Sequence, residues 1–244
     1  MKPVRLAMSA LALALALPAF ADEPAPAPAD PLSFNVGLVT DYRYRGISQT
    51  RLKPALQGGA DYAFDSGFYV GTWLSTIKWI KDAGGNAPVE WDIYGGYKTE
   101  IAKGVSIDVG LLQYEYVNNK LPTSANTLEV YGALTVGIVT AKYSHSTTNL
   151  FGFSDSKSSG YIDLSAALDL GEGFTLTPHY GHQKVKNNTA YSYNDYALTL
   201  TKDAFGVTWS GAVIGTNASV DNYPSPDGKN LGKTTVVIGV KKTF

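Results

Sequence analysis

The last eleven residues, Thr234-Thr-Val-Val-Ile-Gly-Val-Lys-Lys-Thr-Phe244, alternate between two kinds of side chain. Val236, Ile238 and Val240 are apolar, the terminal Phe244 lies on the same parity, and most residues between them are small or polar. A period of two is that of a β-strand with one apolar and one wet face. Bacterial outer-membrane barrels commonly end on such a strand, so Phe244 is predicted to be an assembly signal at the membrane interface. The alternative is an edge strand of a secreted β-sandwich.

The other end of the chain has the features of an export signal. Lys2 and Arg5 precede an apolar run, Leu6 to Leu17, which is too short to span a bilayer. Ala19-Phe-Ala21 fits the small-x-small rule for cleavage. We therefore predict a signal peptide over residues 1–21 and a mature chain that starts at Asp22.

Composition after the signal divides the chain into a linker and one domain. Residues 22–32 are rich in proline and alanine and predict an extended periplasmic linker, followed by a barrel domain over residues 33–244. The full chain has 20 basic and 21 acidic residues, and removing Lys2 and Arg5 leaves 18 basic residues. A slightly acidic chain argues against nucleic acid as a partner. Cysteine is absent, which excludes thiol chemistry and disulfides.

Alternating segments recur along the whole mature chain, and their connections alternate between tight turns and long loops. Short periplasmic turns, long external loops and an even number of strands are typical of a bacterial transmembrane barrel, whereas a sandwich does not require them. The sequence thus predicts an all-β, antiparallel, up-and-down transmembrane β-barrel of about 12 strands. The predicted strands are 33–45, 55–64, 68–76, 90–100, 105–116, 127–135, 138–146, 161–170, 174–182, 193–202, 205–216 and 234–244.

Aromatic residues on the outward parity fall into two groups. Phenylalanines lie beside the short turns or at the terminal strands, and tyrosine or tryptophan lies toward the long loops. This distribution predicts two aromatic girdles at the membrane interfaces. The first group is Phe34, Phe64, Phe68, Phe174, Phe205 and Phe244, and the second is Tyr44, Trp91, Tyr143, Tyr180 and Tyr196.

The first strands resemble a known family. Phe34-Asn-Val-Gly-Leu-Val-Thr-Asp-Tyr-Arg-Tyr-Arg-Gly-Ile-Ser-Gln-Thr50, Pro54-Ala-Leu-Gln-Gly58, Asp61-Tyr62 and Gly67-Phe-Tyr-Val-Gly-Thr-Trp73 are similar to the start of the TorF family of porins, also called the Gcw_chp family. The likeness extends over the mature chain and is specific mainly in these residues. It implies an outer-membrane β-barrel with a pore role and supplies no catalytic residues and no substrate.

Charged residues on the inward parity are mostly acidic. Ten acids, including Glu90, Glu100 and Asp169, oppose five bases, including Lys98 and Lys241. A charge in a lumen requires water or a partner, because an unpaired ion is costly in a low-dielectric wall. The candidate pore-lining residues are Asp41, Arg43, Arg45, Asp61, Asp92, Asp108, Glu129, Lys142, Asp163 and Asp195.

These charges favour a porin-like channel for passive diffusion of small solutes or ions, with a mildly cation-favouring lumen. The alternative is a closed structural or adhesin-type barrel whose lumen is filled by salt bridges. In the run Asp41-Tyr-Arg-Tyr-Arg45 the arginines are predicted either to face acids across the lumen or to pair with neighbouring carboxylates. Arg51 and Lys53, in the predicted external loop, are candidates for contact with lipopolysaccharide phosphates.

A third hypothesis is that the protein is an outer-membrane lipid hydrolase. His145-Ser146-Thr147 has a histidine near a hydroxyl, but the residues that follow do not complete a hydrolase motif. His179 and His182 lie three apart on one strand, hence on opposite faces, and do not converge on a metal. We therefore expect no enzyme activity, no cofactor and no metal. Expected partners are outer-membrane lipid and lipopolysaccharide, the barrel-assembly machinery and small solutes, and the expected location is the outer membrane.

Overall fold

The computed structural model describes residues 31–244. The predicted signal peptide, 1–21, and the predicted linker up to residue 30 lie outside the described residues. Leu32, the last residue assigned to the linker, is the first residue of the first strand. Within the described part of the chain, no helix is both long and apolar enough to cross a membrane.

Twelve antiparallel strands form one sheet, with almost no helix. A four-residue helix, α1 (Trp79–Asp82), and a 3₁₀ turn (Thr189–Tyr191) lie in the long loops. The strands are β1 (Leu32–Val39), β2 (Ala55–Ala63), β3 (Phe68–Thr76), β4 (Val89–Ala102), β5 (Val105–Glu115), β6 (Thr127–Val136), β7 (Val139–Ser146), β8 (Gly160–Ala166 and Leu168–Gly171), β9 (Phe174–Lys184), β10 (Tyr193–Ala204), β11 (Val207–Thr216) and β12 (Thr235–Thr243).

The sheet closes on itself. Each strand pairs with its neighbours in sequence, and β1 pairs with β12 in a register that runs from Asn35 opposite Thr243 to Val39 opposite Gly239. At the seam, Phe34 and Phe244 exchange two backbone hydrogen bonds of 2.8 and 3.2 Å. Because closure removes both edge strands, every strand of the ring has a partner on each side. The predicted up-and-down barrel of 12 strands is confirmed.

The two faces of the wall have opposite character. Large apolar side chains such as Leu38, Val70 and Ile238 are exposed on the outer face. The buried hydrophobic cluster lies inside the barrel and is rich in tyrosine, including Tyr94, Tyr114 and Tyr131 along with small apolar residues. Such a molecule is apolar outside and polar-aromatic inside, as expected of a barrel whose outer face contacts lipid.

One end of the barrel carries the short turns and the other carries the long loops; we call these the turn end and the loop end. Phe34, Phe64, Phe68 and Phe205 are exposed near the turn end. Trp91, Tyr143, Tyr180 and Tyr196 are exposed toward the loop end. The parity of these girdle residues is therefore as predicted, with one exception in the first strand.

That exception is the largest error in the predicted strands. The first strand was predicted to extend to Arg45, but β1 ends at Val39 and the chain turns into the barrel. All ten residues from 41 to 50 are buried, and they contain a short hairpin, Arg43–Tyr44 paired with Ile47–Ser48. Tyr44, predicted to belong to the outer girdle, is inside the lumen and only 7% exposed. We call residues 41–50 the inner hairpin.

Two further differences concern strand ends. β8 is interrupted at Ala167, whose amide donates to the carbonyl of Ile138. Glu100 and Asp169, counted among the inward acids, are exposed at the turn end, where each accepts a hydrogen bond from the amide of a turn glycine. They lie at the rim because the strands extend beyond the part of the lumen that the other acids line.

Candidate functional site in the barrel lumen

The inner hairpin is built around a two-residue turn. Arg45 and Gly46 have φ angles of 45° and 77°, and the residues on either side, Tyr44 and Ile47, pair with each other. Two successive residues with positive φ form the kind of tight turn whose twist matches a β-hairpin. A side chain at position 46 would collide with Thr216 and Asp195 of the wall. Glycine is required there by both the backbone conformation and the close approach of the wall.

Asp41 organises the base of the hairpin. Its carboxylate accepts hydrogen bonds from Arg43 Nε at 2.5 Å, Ser48 Oγ at 2.5 Å and Thr50 Oγ1 at 3.1 Å. Arg43 Nη1 also donates to the carbonyl oxygens of Gly46 at 2.9 Å and Leu231 at 2.8 Å. Arg43 thereby fixes the hairpin to the last long loop, and its charge is matched by the carboxylate next to it.

Arg45, at the tip of the hairpin, spans the lumen. Its Nη2 donates to both carboxylate oxygens of Glu129 on β6, at 2.8 and 3.0 Å, and its Nη1 donates to Gln183 on β9. The guanidinium carbon lies 4.2 Å from the ring centre of Tyr161 and 4.8 Å from that of Tyr44. Since both side chains of the Arg45–Glu129 pair are only 2% exposed, this is a buried ion pair. Together these contacts narrow the lumen at the level of Arg45.

Two acids on β4 have a different environment. The Glu90 carboxylate accepts hydrogen bonds from the hydroxyls of Tyr42 and Tyr116, the second at 2.6 Å. Asp92, on the same face two residues later, has a buried Oδ1 without a hydrogen-bond partner. Among residues 31–244 neither acid forms an ion pair. This side of the lumen therefore holds two buried carboxyl groups that have no base in contact with them.

The half of the lumen nearer the turn end holds its acids with tyrosines. Tyr94 donates to Asp61. Tyr69 donates to Asp108 at 2.7 Å and shares a hydrogen bond with Tyr131. The Lys142 ammonium lies 4.1 Å from the ring centre of Tyr131. Hydroxyl donors hold the carboxylates in place without neutralising them.

A histidine joins two of the candidate acids on the opposite wall. His179 Nε2 lies 3.0 Å from Asp163 Oδ2, and Nδ1 lies 3.6 Å from Asp195 Oδ1. The hydroxyl of Tyr161 contacts both Asp195 oxygens at 3.1 Å. His182 is exposed on the outer face and contacts Asn194, so the two histidines lie on opposite faces as the sequence predicts.

The structure places all ten candidate pore-lining residues inside the barrel and connects several of them. Asp41 and Arg43 meet, Arg45 meets Glu129, and Asp163 and Asp195 meet through His179. The list of candidate pore-lining residues omitted other members of the lumen network: Tyr42, Tyr44, Glu90, Tyr161, His179 and Gln183. The inward parity of Glu90, Tyr161 and His179 was a usable signal, whereas nothing in the alternation indicated Tyr42 or Tyr44.

Two cavities flank the narrow level. The loop-end cavity, of about 690 Å³, is bounded by the inner hairpin at Tyr44 and Gln49 and by the long loops. The turn-end cavity, of about 430 Å³, is lined by Tyr69, Lys98 and Glu100 among others. The side chains of the inner hairpin and the lumen tyrosines lie between these two cavities.

The residues considered for hydrolysis are not arranged for it. Ser146 is fully buried and donates to the carbonyl of Ser159 at 3.4 Å, and the ring of His145 lies against Tyr143. Residues 31–244 contain no group of three or more histidine, aspartate or glutamate side chains placed to hold a metal ion.

Comparison with known proteins connects this chain to one family and one fold. The sequence profile of Gcw_chp, described as a bacterial protein of unknown function, matches residues 23–244, which include the whole barrel. The narrower TorF designation stays a prediction. Among proteins of curated function, none matches the chain significantly.

Solved structures with a similar fold are remote in sequence. The KdgM porin superposes with a TM-score of 0.55 at 9% identity, covering 87% of this chain and 98% of that chain. The NanC porin gives a TM-score of 0.54 at 11% identity, again covering 87% and 98%. At such low identity the likeness establishes a shared barrel fold.

Proposed function

The chain belongs to the Gcw_chp family, and we propose that it forms a narrow, water-filled channel in the bacterial outer membrane. The channel passes small solutes or ions by passive diffusion and favours cations. The turn end faces the periplasm and the loop end faces the outside. Lipid and lipopolysaccharide surround the barrel, the barrel-assembly machinery inserts it, and the channel operates without a cofactor.

The observation that carries this proposal is the charge of the lumen. Of the ten predicted inward acids, removing Glu100 and Asp169 at the rim leaves eight, against five bases. Arg43 and Arg45 are each neutralised by one carboxylate, whereas Glu90 and Asp92 form no ion pair. A negative potential inside a hydrated pore raises the local concentration of cations and lowers that of anions.

The width of the barrel supports a small conduit. A ring of 12 strands is wider than the 8-stranded barrels that side chains fill and narrower than the 16–18-stranded porins with open channels. The inner hairpin occupies part of that width, and a cavity of 430 to 690 Å³ lies on each side of it. This geometry suits ions and small solutes.

A specific observation also favours a second candidate, a closed barrel with a structural role. The inner hairpin is buried along its entire length, and it reaches from the end of β1 to the facing part of the wall, where Arg45 contacts Glu129 on β6 and Gln183 on β9. In that case the polar network stabilises the barrel and no continuous water path exists.

Recording in planar lipid bilayers separates the two. For the purified protein in a salt gradient, we expect stepwise conductance and a reversal potential on the cation-selective side. A reversal potential on the anion-selective side would contradict the cation preference. Repeated insertion without any conductance, for protein that is folded by its heat-dependent gel migration, would favour the closed barrel.

A further inference from the structure

The loop-end cavity has the size and lining of a binding site. Its volume of about 690 Å³ falls within the roughly 300–1,000 Å³ typical of small-molecule sites. The long loops and the inner hairpin bound it, and its lining is largely aromatic and aliphatic. A small solute that enters from the loop end meets this cavity before it reaches the narrow level at Arg45.

Aromatic rings line the cavity in two groups. In the first group, Trp79 packs edge-on against Tyr116 at 5.2 Å, and Tyr44 packs against Phe151 at 5.3 Å. In the second group, Tyr223 contacts Phe153 at 6.5 Å and Tyr193 at 5.4 Å. Edge-to-face packing fixes the orientation of these rings, so the cavity is largely formed before any solute arrives.

Charged groups at the cavity are mostly paired. The Arg45 guanidinium, which is ion-paired with Glu129, stacks on Tyr44 and donates to Gln183 just behind the lining of the cavity. Among the residues that line it in the described chain, Asp82 alone is charged, and it is paired with Arg51 outside the lining. Tyr116, which does line the cavity, donates its hydroxyl to Glu90 at 2.6 Å. A carboxylate without an ion-pair partner therefore lies directly behind one wall. The faces of aromatic rings also attract positive charge.

We propose that the loop-end cavity binds one small organic cation that carries an aromatic ring, such as an arylalkyl ammonium. The ring packs among the aromatic walls, and the positive group lies on the side of Tyr116, above Glu90. An anion of the same shape is disfavoured because the lining supplies no positive charge to it. A neutral ring gains the packing but not the electrostatic attraction.

This site stands independently of conduction, because binding in a preformed cavity does not require an open path beneath it. The test is therefore an equilibrium titration of the full, detergent-solubilised chain. Binding is measured by calorimetry, and a titration into detergent without protein is the blank. Three probes of similar size are compared: benzylammonium, benzyl alcohol and benzoate. We expect saturable binding of the cation, weaker binding of the alcohol and none of the benzoate.

Variants identify the site. Trp79→Leu keeps an apolar side chain but removes the ring, and we expect the affinity for the cation to fall about three- to ten-fold. Glu90→Gln removes the charge and keeps an acceptor oxygen for one of the two tyrosine hydroxyls, while its amide nitrogen can donate to the other. This variant should bind the cation more weakly and leave binding of the alcohol unchanged. Trp91→Leu, which changes an exposed tryptophan on the outer face, is the matched control and should bind as the unmodified chain does.

Outcomes that overturn the proposal are distinct from those that overturn the channel. Equal affinity for all three probes, or no saturable binding of the cation, removes the site, whatever the bilayer recordings show. Loss of binding in Trp91→Leu to the same extent as in Trp79→Leu would mean that the probe binds elsewhere. Selective binding by a chain that does not conduct would retain the site and reject the channel.

Discussion

Residues 34–40 and residues 41–45 continue one alternating pattern, but the first part lies in the wall of the barrel and the second part lies inside the lumen. In the first part, Phe34 and Leu38 point outward and are about half exposed, at 50% and 53%. In the second part, Tyr42 and Tyr44 have the same parity but are 1% and 7% exposed inside the lumen. The pattern therefore identifies outward side chains only while the chain remains in the wall.

The difference has a local cause. β1 pairs with β2 and β12 over its length, and beyond Val39 these pairings stop. The following segment instead supplies its own pairing through the turn at Arg45 and Gly46 and its own counter-charge through Asp41 and Arg43. A polar segment folded into a barrel requires such internal partners, because buried charges and backbone groups must be satisfied.

The largest effect is expected from a change at the seam of the barrel, where β1 pairs with β12. Phe244 and Phe34 exchange two backbone hydrogen bonds, and Phe244 is exposed on the outer face at the turn end. Deleting Phe244 removes both bonds, each worth about 1 kcal/mol, as well as the interfacial aromatic ring. We expect the amount of folded barrel in the outer membrane to fall several-fold, measured by heat-dependent gel migration of membrane fractions.

Phe244→Tyr is the control for this deletion, since it keeps the backbone bonds and an interfacial ring and should assemble normally. Equal assembly of the deletion and the unmodified chain would show that the terminal residue is dispensable and that the seam is closed by the other pairs of β1 and β12.

The next effect concerns the inner hairpin alone. Gly46→Val places a branched side chain against Thr216 and Asp195 at a positive φ, so the hairpin should leave its position. The wall strands pair without the hairpin, and the barrel should still assemble. Single-channel conductance should then rise several-fold in planar bilayers, because the obstruction at Arg45 is displaced.

Gly104→Val is the matched control: Gly104 has a similar φ of 71° in a turn, with nothing near its Cβ position. It should assemble and conduct as the unmodified chain does. If Gly46→Val assembled and conducted like this control, the hairpin would not be the narrow part of the path.

How much of this could be predicted from the sequence differs between the two regions. The strand faces, the turns and the girdle positions follow from a period of two, which each strand displays by itself. The position of the inner hairpin does not follow from that period, because it depends on partners far away in sequence: Leu231, Glu129 and Gln183. Arg45-Gly46 was a local cue for a tight turn, but a turn signal does not tell whether the chain folds outward or into the lumen.

The next change tests which contacts hold the tip of the hairpin. Arg45→Gln leaves the Glu129 carboxylate buried without its counter-charge, and breaking a buried pair in this way costs about 3–5 kcal/mol. We expect the temperature at which the barrel loses its folded gel mobility to fall. The double change Arg45→Gln with Glu129→Gln removes both charges and should recover most of that loss. No recovery would mean that Arg45 acts through Tyr161 and Tyr44 rather than through the ion pair.

The smallest expected effect is on ion selectivity set by the acids in the wall of the lumen. Asp108 and Asp163 lie on β5 and β8 and are held by Tyr69 and His179. Changing both to asparagine keeps their size and an acceptor oxygen and removes two charges. At about 8 Å in water a unit charge contributes about 0.5 kcal/mol, so each change should lower cation occupancy about two-fold.

The measurement is the reversal potential in a salt gradient, which should move toward zero in this double variant while the barrel still assembles. The shift should be large near 0.1 M salt, where the screening length is about 10 Å, and small near 1 M, where it is about 3 Å. Glu172→Gln, at an exposed turn between β8 and β9, removes a charge outside the lumen and should leave the potential unchanged.

An unaltered potential in Asp108→Asn with Asp163→Asn would take both residues out of the conduction path. Selectivity would then be set at the level of the inner hairpin, where Glu90 and Asp92 are the acids without ion-pair partners.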